Sequence, residues 1–120
     1  MASERTSARN APRLEIALQA SLISSDPSRA PVPVTTRDLG PGGALCESGT
    51  TLLEGEEVSF RLDLPAGASG GLETLALPAR IIRVEGANPY VIAVQFNRAP
   101  ARIVELLKRY LWRLSRETGR

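Results

Sequence analysis

The sequence predicts a mostly β fold, a six-stranded antiparallel β-barrel with a C-terminal α-helix. Apolar and polar residues alternate along several short segments, which is the two-residue period of half-buried strands. Glycine, proline and serine separate these segments at short intervals, as turns do in small antiparallel barrels. Towards the C-terminus the apolar spacing changes to three and four residues, the period of a helix. A chain of 120 residues is long enough for one domain with a modest core.

The N-terminal part of the chain divides into an arm and a first strand. Residues 1–10 are small, polar and charged without any periodicity, which predicts a flexible basic arm ahead of a domain over residues 11–116. Alternate residues from Leu14 to Leu22 are apolar, so we expect the first strand to begin at Leu14. A loop from Ser24 to Pro33 contains three prolines, and the alternation resumes at Val32 and ends at Asp38.

The other four strands are separated by turn signals. A glycine-rich turn precedes a short apolar strand at residues 44–46, and a regular alternation predicts a strand over 58–64. A long strand over 75–84 contains Pro78, which indicates an edge or a bulge at that position. A further turn leads to the last strand, over 90–96.

The helix is predicted over about residues 100–116, because proline is tolerated in the first turn and Pro100 stands there. One side of the helical wheel is apolar and consists of Ile103, Leu107, Tyr110, Leu111 and Leu114. The other side is charged and consists of Arg102, Glu105, Arg109, Arg113 and Arg116. Trp112 lies on this charged side, so it is either a single exposed apolar residue or a contact for a partner.

The net charge of +2 conceals an uneven distribution along the chain. Residues 1–13 carry three basic groups and one acid, residues 14–97 carry five and ten, and residues 98–120 carry seven and two. The two ends are therefore basic and the middle is acidic. Basic ends attract a small anionic ligand or an acidic partner surface.

Several classes of protein are not expected from this composition. The single cysteine, Cys46, cannot form an intrachain disulfide, and it lies in an apolar strand where an inert core residue is the better interpretation. No apolar run approaches the ~20 residues of a membrane span, and the N-terminus lacks a signal peptide, so we expect a cytoplasmic protein. The chain has no histidine and no metal-ligand spacing, so neither an enzyme nor a metal site is expected.

A candidate binding site combines two arginines with a glycine-rich turn. Arg9 and Arg13 are four residues apart and precede the first strand, and Arg37 and Asp38 open the turn that ends at Gly43. Arginine binds the O6 and N7 acceptors of guanine or a phosphate, while a carboxylate accepts from the N–H groups of the guanine edge. The set is therefore suited to a guanine nucleotide.

The same residues resemble the motifs of the PilZ domain family. Its R-x-x-x-R element corresponds to RNAPR at residues 9–13, and its [D/N]-x-S-x-x-G element corresponds to DLGPGG at residues 38–43. The resemblance extends over roughly residues 9–115 through the strand pattern and the final helix. It implies a six-stranded barrel of the split-barrel type that binds the bacterial second messenger cyclic di-GMP without catalysis.

The resemblance also implies roles for individual residues. Arg9 and Arg13 would contact guanine and phosphate, Asp38 would hold a guanine edge, and Gly43 would permit the close turn. Gly40 stands where the family has serine, and one lost hydrogen bond costs about 0.5–1.5 kcal/mol, or up to roughly tenfold in affinity. Arg37 is a further candidate contact.

Two functions follow from the resemblance, and a third is ranked low. The first is a cyclic di-GMP receptor that relays the signal to an effector protein. The alternative is a degenerate domain that does not bind nucleotide and acts as an adaptor, for example through Trp112. Nucleic-acid binding is not expected, because the few aromatic residues of the predicted strands, Phe60, Tyr90 and Phe96, are placed on inward faces. A homodimer is left open.

Overall fold

A computed structural model describes residues 12–65 and 72–118 of the chain. The predicted arm and Arg9 lie outside these residues. The described elements are β1 (Gln19–Ser24), β2 (Val32–Gly40), β3 (Gly43–Ser48), β4 (Glu57–Pro65), β5 (Leu72–Gly86), β6 (Tyr90–Phe96) and α1 (Ala101–Thr118).

The six strands form one closed antiparallel barrel, as the sequence predicts. The strands are ordered β1-β2-β3-β6-β5-β4 around the barrel. It closes because β4 pairs with β5 on one side and with β1 on the other. The mostly β fold class and the C-terminal helix are therefore confirmed.

The first strand begins later than predicted. Burial alternates from residue 12 onward, but the strand ladder starts only at Gln19. Upstream, the Thr36 hydroxyl donates to the Ile16 carbonyl at 2.5 Å and accepts from the Leu18 amide at 2.9 Å. The Thr36 side chain thus adds to isolated backbone hydrogen bonds in this stretch, so the alternation persists without a regular ladder.

Pro78 lies at an edge position of β5, one of the two alternatives predicted for it, and the bulge lies elsewhere in the strand. Pro78 pairs with Ser59 of β4 and stands one residue outside the ladder with β6, which begins at Ala79. The bulge in β5 is formed by Ile82, because the pairing with β6 shifts between Ile81 and Arg83. A missing amide at Pro78 is tolerated where β6 has already ended.

The core fills the barrel and continues under the helix. Inward residues of all six strands form one cluster with the apolar stripe of α1. Phe60 is fully buried, and its ring centroid lies 5.3 Å from that of Phe96. Leu107 and Leu111 of α1 are also fully buried in this cluster. The barrel and the helix therefore share one core.

Pro100 precedes the helix and stabilises its first turn. Its carbonyl accepts hydrogen bonds from the amides of Ile103 and Val104, at 2.9 and 3.1 Å. The helix runs to Thr118, two residues beyond the predicted end. Among the described residues, no helix has the length and apolar character needed to cross a bilayer.

Candidate functional site

A bulge in β2 decides which residues of the glycine-rich stretch face outward. Thr36 pairs with Cys46 and Asp38 pairs with Leu45, so Arg37 is an extra residue between two consecutive pairs. Without it, Asp38 would continue the inward series of Thr36. The bulge instead turns Asp38 outward and sends Leu39 into the core, where it is fully buried.

Arg13 is carried to Asp38 by a short backbone pairing. The Leu14 and Leu39 amides each donate to the other residue's carbonyl at 2.8 Å, which sets Arg13 beside Gly40. Arg13 Nη2 lies 2.7 Å from Asp38 Oδ1. The pair is an ion pair by distance, yet Oδ1 is shielded from solvent and no described residue offers it an aligned hydrogen-bond donor. Asp38 therefore has charge compensation but keeps an unused acceptor.

Gly40 makes room for the Arg13 side chain. A Cβ atom at Gly40 would lie 3.1 Å from Arg13 Nη1, 3.2 Å from its Cγ and 3.3 Å from its Cβ. These distances are tighter than ordinary contacts, so the guanidinium and its stem lie across the bare glycine backbone. The space that a serine side chain would need is thus partly taken by Arg13.

Gly43 is required by a neighbouring strand. A Cβ atom there would collide with the Val94 carbonyl oxygen of β6. The Phe96 amide also donates to the Gly42 carbonyl at 2.9 Å, which ties the turn to the end of β6. Of the described glycines, Gly55 and Gly86 have positive φ, so this turn does not use the left-handed region. Close approach of two strands is the reason for glycine at this position.

These elements border an outward cleft of about 390 Å³ over β2, β3, β6 and β5. It is lined by Arg13, Asp38, Gly42, Gly43, Ala44, Leu45, Ile82, Arg83, Ala93, Val94 and Gln95. The second bulge places Ile82 at the cleft with 49% of its surface exposed. The cleft thus combines a charged rim with an apolar floor, the composition of small-molecule sites.

The fold brings some of the predicted site residues together at the cleft and places others elsewhere. Arg13, Asp38 and Gly43 meet at the cleft, and Gly40 lies under Arg13. Arg37 does not line the cleft; its Nε lies 3.3 Å from Glu47 Oε2. Trp112 lies on α1 and is 42% exposed.

Sequence reasoning missed the contributions of β5 and β6. Ile82, Arg83 and Gln95 line the cleft, although no motif marks them. One signal was present, since the adjacent Ile81 and Ile82 interrupt the alternation of β5 as a bulge does.

A second, larger cleft of about 560 Å³ lies at Glu57, Pro78, Arg80, Asn97 and Arg98. It contains none of the predicted ligand residues. Its Arg80 is already bound by Glu57, with Nη2 2.6 Å from Oε2. We therefore regard the smaller cleft, where a carboxylate keeps an unused acceptor, as the candidate ligand site.

Solved structures of other proteins resemble this fold, whereas no curated protein matches the sequence. The inhibitor of motility MotI/DgrA of Bacillus subtilis superposes with a TM-score of 0.73 at 14% identity, over 90% of this chain and 51% of that chain. The PilZ domain of CeSA from a cellulose-synthesizing bacterium gives 0.66 at 23% identity, over 88% and 99%. The PilZ domain of Escherichia coli YcgR with c-di-GMP gives 0.63 at 20% identity, over 90% and 88%.

At these identities the structural likeness shows the fold alone, and the chain spans about half the length of the Bacillus protein. The family model for the PilZ domain matches the sequence over residues 7–112, which includes both motifs and the barrel. The chain therefore belongs to the PilZ domain family.

Proposed function

We propose that the chain is a bacterial cyclic di-GMP receptor that acts as a sensor module without catalysis. The observation that carries the proposal is the meeting of Arg13 and Asp38 at the cleft, where their charged groups are 2.7 Å apart. Membership of the PilZ family supports it, as does the YcgR domain, which was solved with c-di-GMP.

The cleft offers a complementary group for each part of a guanine nucleotide. Asp38 Oδ1, to which no described residue offers an aligned donor, accepts from the guanine N–H edge once Arg13 has moved away from it. Arg13 is half-exposed and turns from Asp38 to the O6 and N7 acceptors or to a phosphate. Leu45, Ile82 and Ala93 provide apolar surface for a base. Arg9, outside the described residues, supplies the second guanidinium in this proposal.

The signal is relayed through the arm in this proposal. Contacts of Arg9 and Arg13 with the ligand hold the N-terminal arm against the barrel and create a surface for an effector. The Bacillus neighbour, an inhibitor of motility, supports an effector role for a protein of this fold. A cytoplasmic location suits such a receptor and is part of the proposal.

Calorimetric titration with cyclic di-GMP tests the proposal. The wild type is expected to bind at micromolar or tighter affinity. Arg13→Ala is expected to bind about 10- to 100-fold more weakly, because hydrogen bonds to charged groups contribute about 1.5–3 kcal/mol. Arg61→Ala is the matched control, since Arg61 is exposed, forms no ion pair with a described residue and does not line the cleft. Equal affinity of the three proteins would refute the assigned site.

A second candidate function is a PilZ-like adaptor that does not bind nucleotide. It is favoured by Gly40, because the family serine is missing and Arg13 lies across that position onto Asp38. Absence of binding heat from a protein that is folded by circular dichroism would select this function. The output would then depend on another surface of the domain.

A further inference from the structure

We propose that the exposed face of α1 docks onto an acidic protein surface with an apolar recess. This arginine face consists of Arg102, Arg109, Trp112, Arg113 and Arg116. It is separate from the cleft and does not depend on nucleotide binding, so it holds for a receptor and for an adaptor alike.

The arginines of the described barrel residues are mostly paired with acids of the same chain. Of the seven described arginines ahead of α1, five form ion pairs and Arg61 and Arg98 do not; the pairs are Arg13–Asp38, Arg29–Glu56, Arg37–Glu47, Arg80–Glu57 and Arg83–Glu85. The acidic middle of the chain therefore compensates most of its own basic groups.

The arginines of the helix differ from those of the barrel in their ion pairing. No described carboxylate forms an ion pair with any of the four on the arginine face. Glu105, the acid whose side chain is described on α1, lies on the same side of the helix, but its Oε2 is 3.9 Å from Lys108 Nζ instead. Arg113 lies over the ring of Tyr110, with its guanidinium carbon 5.4 Å from the centroid. A row of uncompensated guanidinium groups thus lies on one side of the helix and attracts carboxylates.

Trp112 adds an apolar anchor to this row. It is 42% exposed and opposes the side of α1 that buries Leu107 and Leu111. Its indole N–H donates to no described residue. Leu106, 39% exposed, flanks the same surface. Tryptophan and arginine are the residues that contribute most binding energy in protein interfaces, and a tryptophan among arginines needs a recess with acidic borders.

The burial of the apolar stripe favours a protein over a membrane. A helix that lies in a bilayer surface inserts a broad apolar face, but α1 buries that face against the barrel. What remains exposed is charged apart from Trp112 and Leu106. This composition is that of a protein interface with complementary charge.

The full-length protein can be tested with a displayed library of random peptides, with and without cyclic di-GMP. Enriched peptides are expected to carry an excess of Asp and Glu beside an apolar residue. Trp112 is the single tryptophan of the chain, so a tryptophan-free synthetic copy of one such peptide should shift its emission to shorter wavelength. The double variant Arg109→Glu/Arg116→Glu should weaken this binding at least about tenfold, whereas Arg61→Glu, the barrel control, should retain it.

Enrichment without acidic excess, or equal binding by the double variant, would overturn the proposal. So would a larger emission shift with equimolar phosphatidylcholine–phosphatidylserine vesicles or with a random oligonucleotide than with the peptide. Titration of the double variant with cyclic di-GMP separates the two proposals, since its nucleotide affinity should equal that of the wild type.

Discussion

The Arg13 side chain occupies the space beside Asp38 that a side chain at position 40 would need. Because Gly40 has no side chain, the Arg13 stem packs on its backbone and the guanidinium reaches Asp38 Oδ1. A glycine at a position where relatives have serine therefore does more than remove one hydroxyl. It also leaves room for an arginine–aspartate pair, which cyclic di-GMP would have to open in the proposed function, and this sets the expected direction of a substitution there.

Replacing Gly40 by serine is expected to tighten cyclic di-GMP binding by up to about tenfold. The new Cβ pushes Arg13 away from Asp38 and the hydroxyl adds one hydrogen bond, an effect of about 0.5–1.5 kcal/mol. Arg13 is half-exposed and can move, so the melting temperature should change little. Calorimetry checks the affinity. Gly49→Ser is the control, because a Cβ there meets nothing within 4 Å; unchanged or weaker binding by Gly40→Ser would disprove the expectation.

At the scale of elements, Glu56 connects two loops to the end of β1. Its carboxylate accepts from the Ser24 hydroxyl at 2.7 Å and from the Leu53 amide at 3.0 Å, and Arg29 lies 3.4 Å away. The hydrogen bonds from Ser24 and Leu53, and then the charge of Arg29, hold the pKa of Glu56 below its ordinary value of 4.5. The ionised carboxylate thus stabilises the ends of β1 and β4.

Glu56→Gln should lower the free energy of unfolding at neutral pH and make it depend less on pH in the acidic range. A carboxyl whose pKa is lower in the folded than in the unfolded state stabilises the protein at pH values above its unfolded pKa. This stabilisation is lost as the pH falls below about 4.5 and through the folded pKa. The variant lacks this contribution, so its free energy of unfolding should be about 1 kcal/mol lower than that of the wild type at pH 7. This difference should shrink towards pH 3. Urea unfolding at several pH values measures this difference.

Glu15→Gln serves as the matched control, because Glu15 is exposed and has no ion pair with a described residue. It should unfold like the wild type at each pH. If the difference between Glu56→Gln and the wild type stayed constant from pH 7 to pH 3, the assigned role of the charge would be wrong.

At the scale of the whole molecule, the helix and the barrel should unfold together. Leu107 of α1 and Cys46 of β3 belong to the same buried cluster. Burial, followed by the charge of Asp38, raises the pKa of the Cys46 thiol to about 12. At neutral pH the folded thiol is therefore both inaccessible and protonated, and it reports on global opening.

Leu107→Ala is expected to destabilise the whole domain by about 2–5 kcal/mol, because it leaves a cavity in the shared core. Labelling of Cys46 by an aromatic disulfide reagent at pH 7 should then accelerate by at least about tenfold. Leu53→Ala is the control, since Leu53 is 70% exposed. Loss of helix signal in Leu107→Ala without faster labelling would mean that α1 unfolds separately from the barrel.

Much of this fold follows from local patterns in the chain. The two-residue alternation of 58–64 and 90–96 and the helical spacing around Leu107 predict the elements, because inside and outside positions repeat with fixed periods. The R-x-x-x-R and glycine-rich motifs identify Arg13, Asp38 and Gly43 for the same reason, since each motif is local. The sequence by itself thus determined the elements, and it predicts these three residues as ligand contacts.

The tertiary structure decided what depends on neighbours distant in the chain. The bulges at Arg37 and Ile82 select which side chains face the cleft, and bulges arise from pairing between strands. Position 43 requires glycine because a Cβ atom there would collide with the Val94 carbonyl on β6. At Gly40, the space that a side chain would take is occupied by Arg13. Ion pairs between neighbouring strands compensate Arg37 and Arg80, whereas no described carboxylate pairs with the arginines of the arginine face of α1. Each outcome requires two distant segments to meet, because the contact that causes it exists only after the barrel closes.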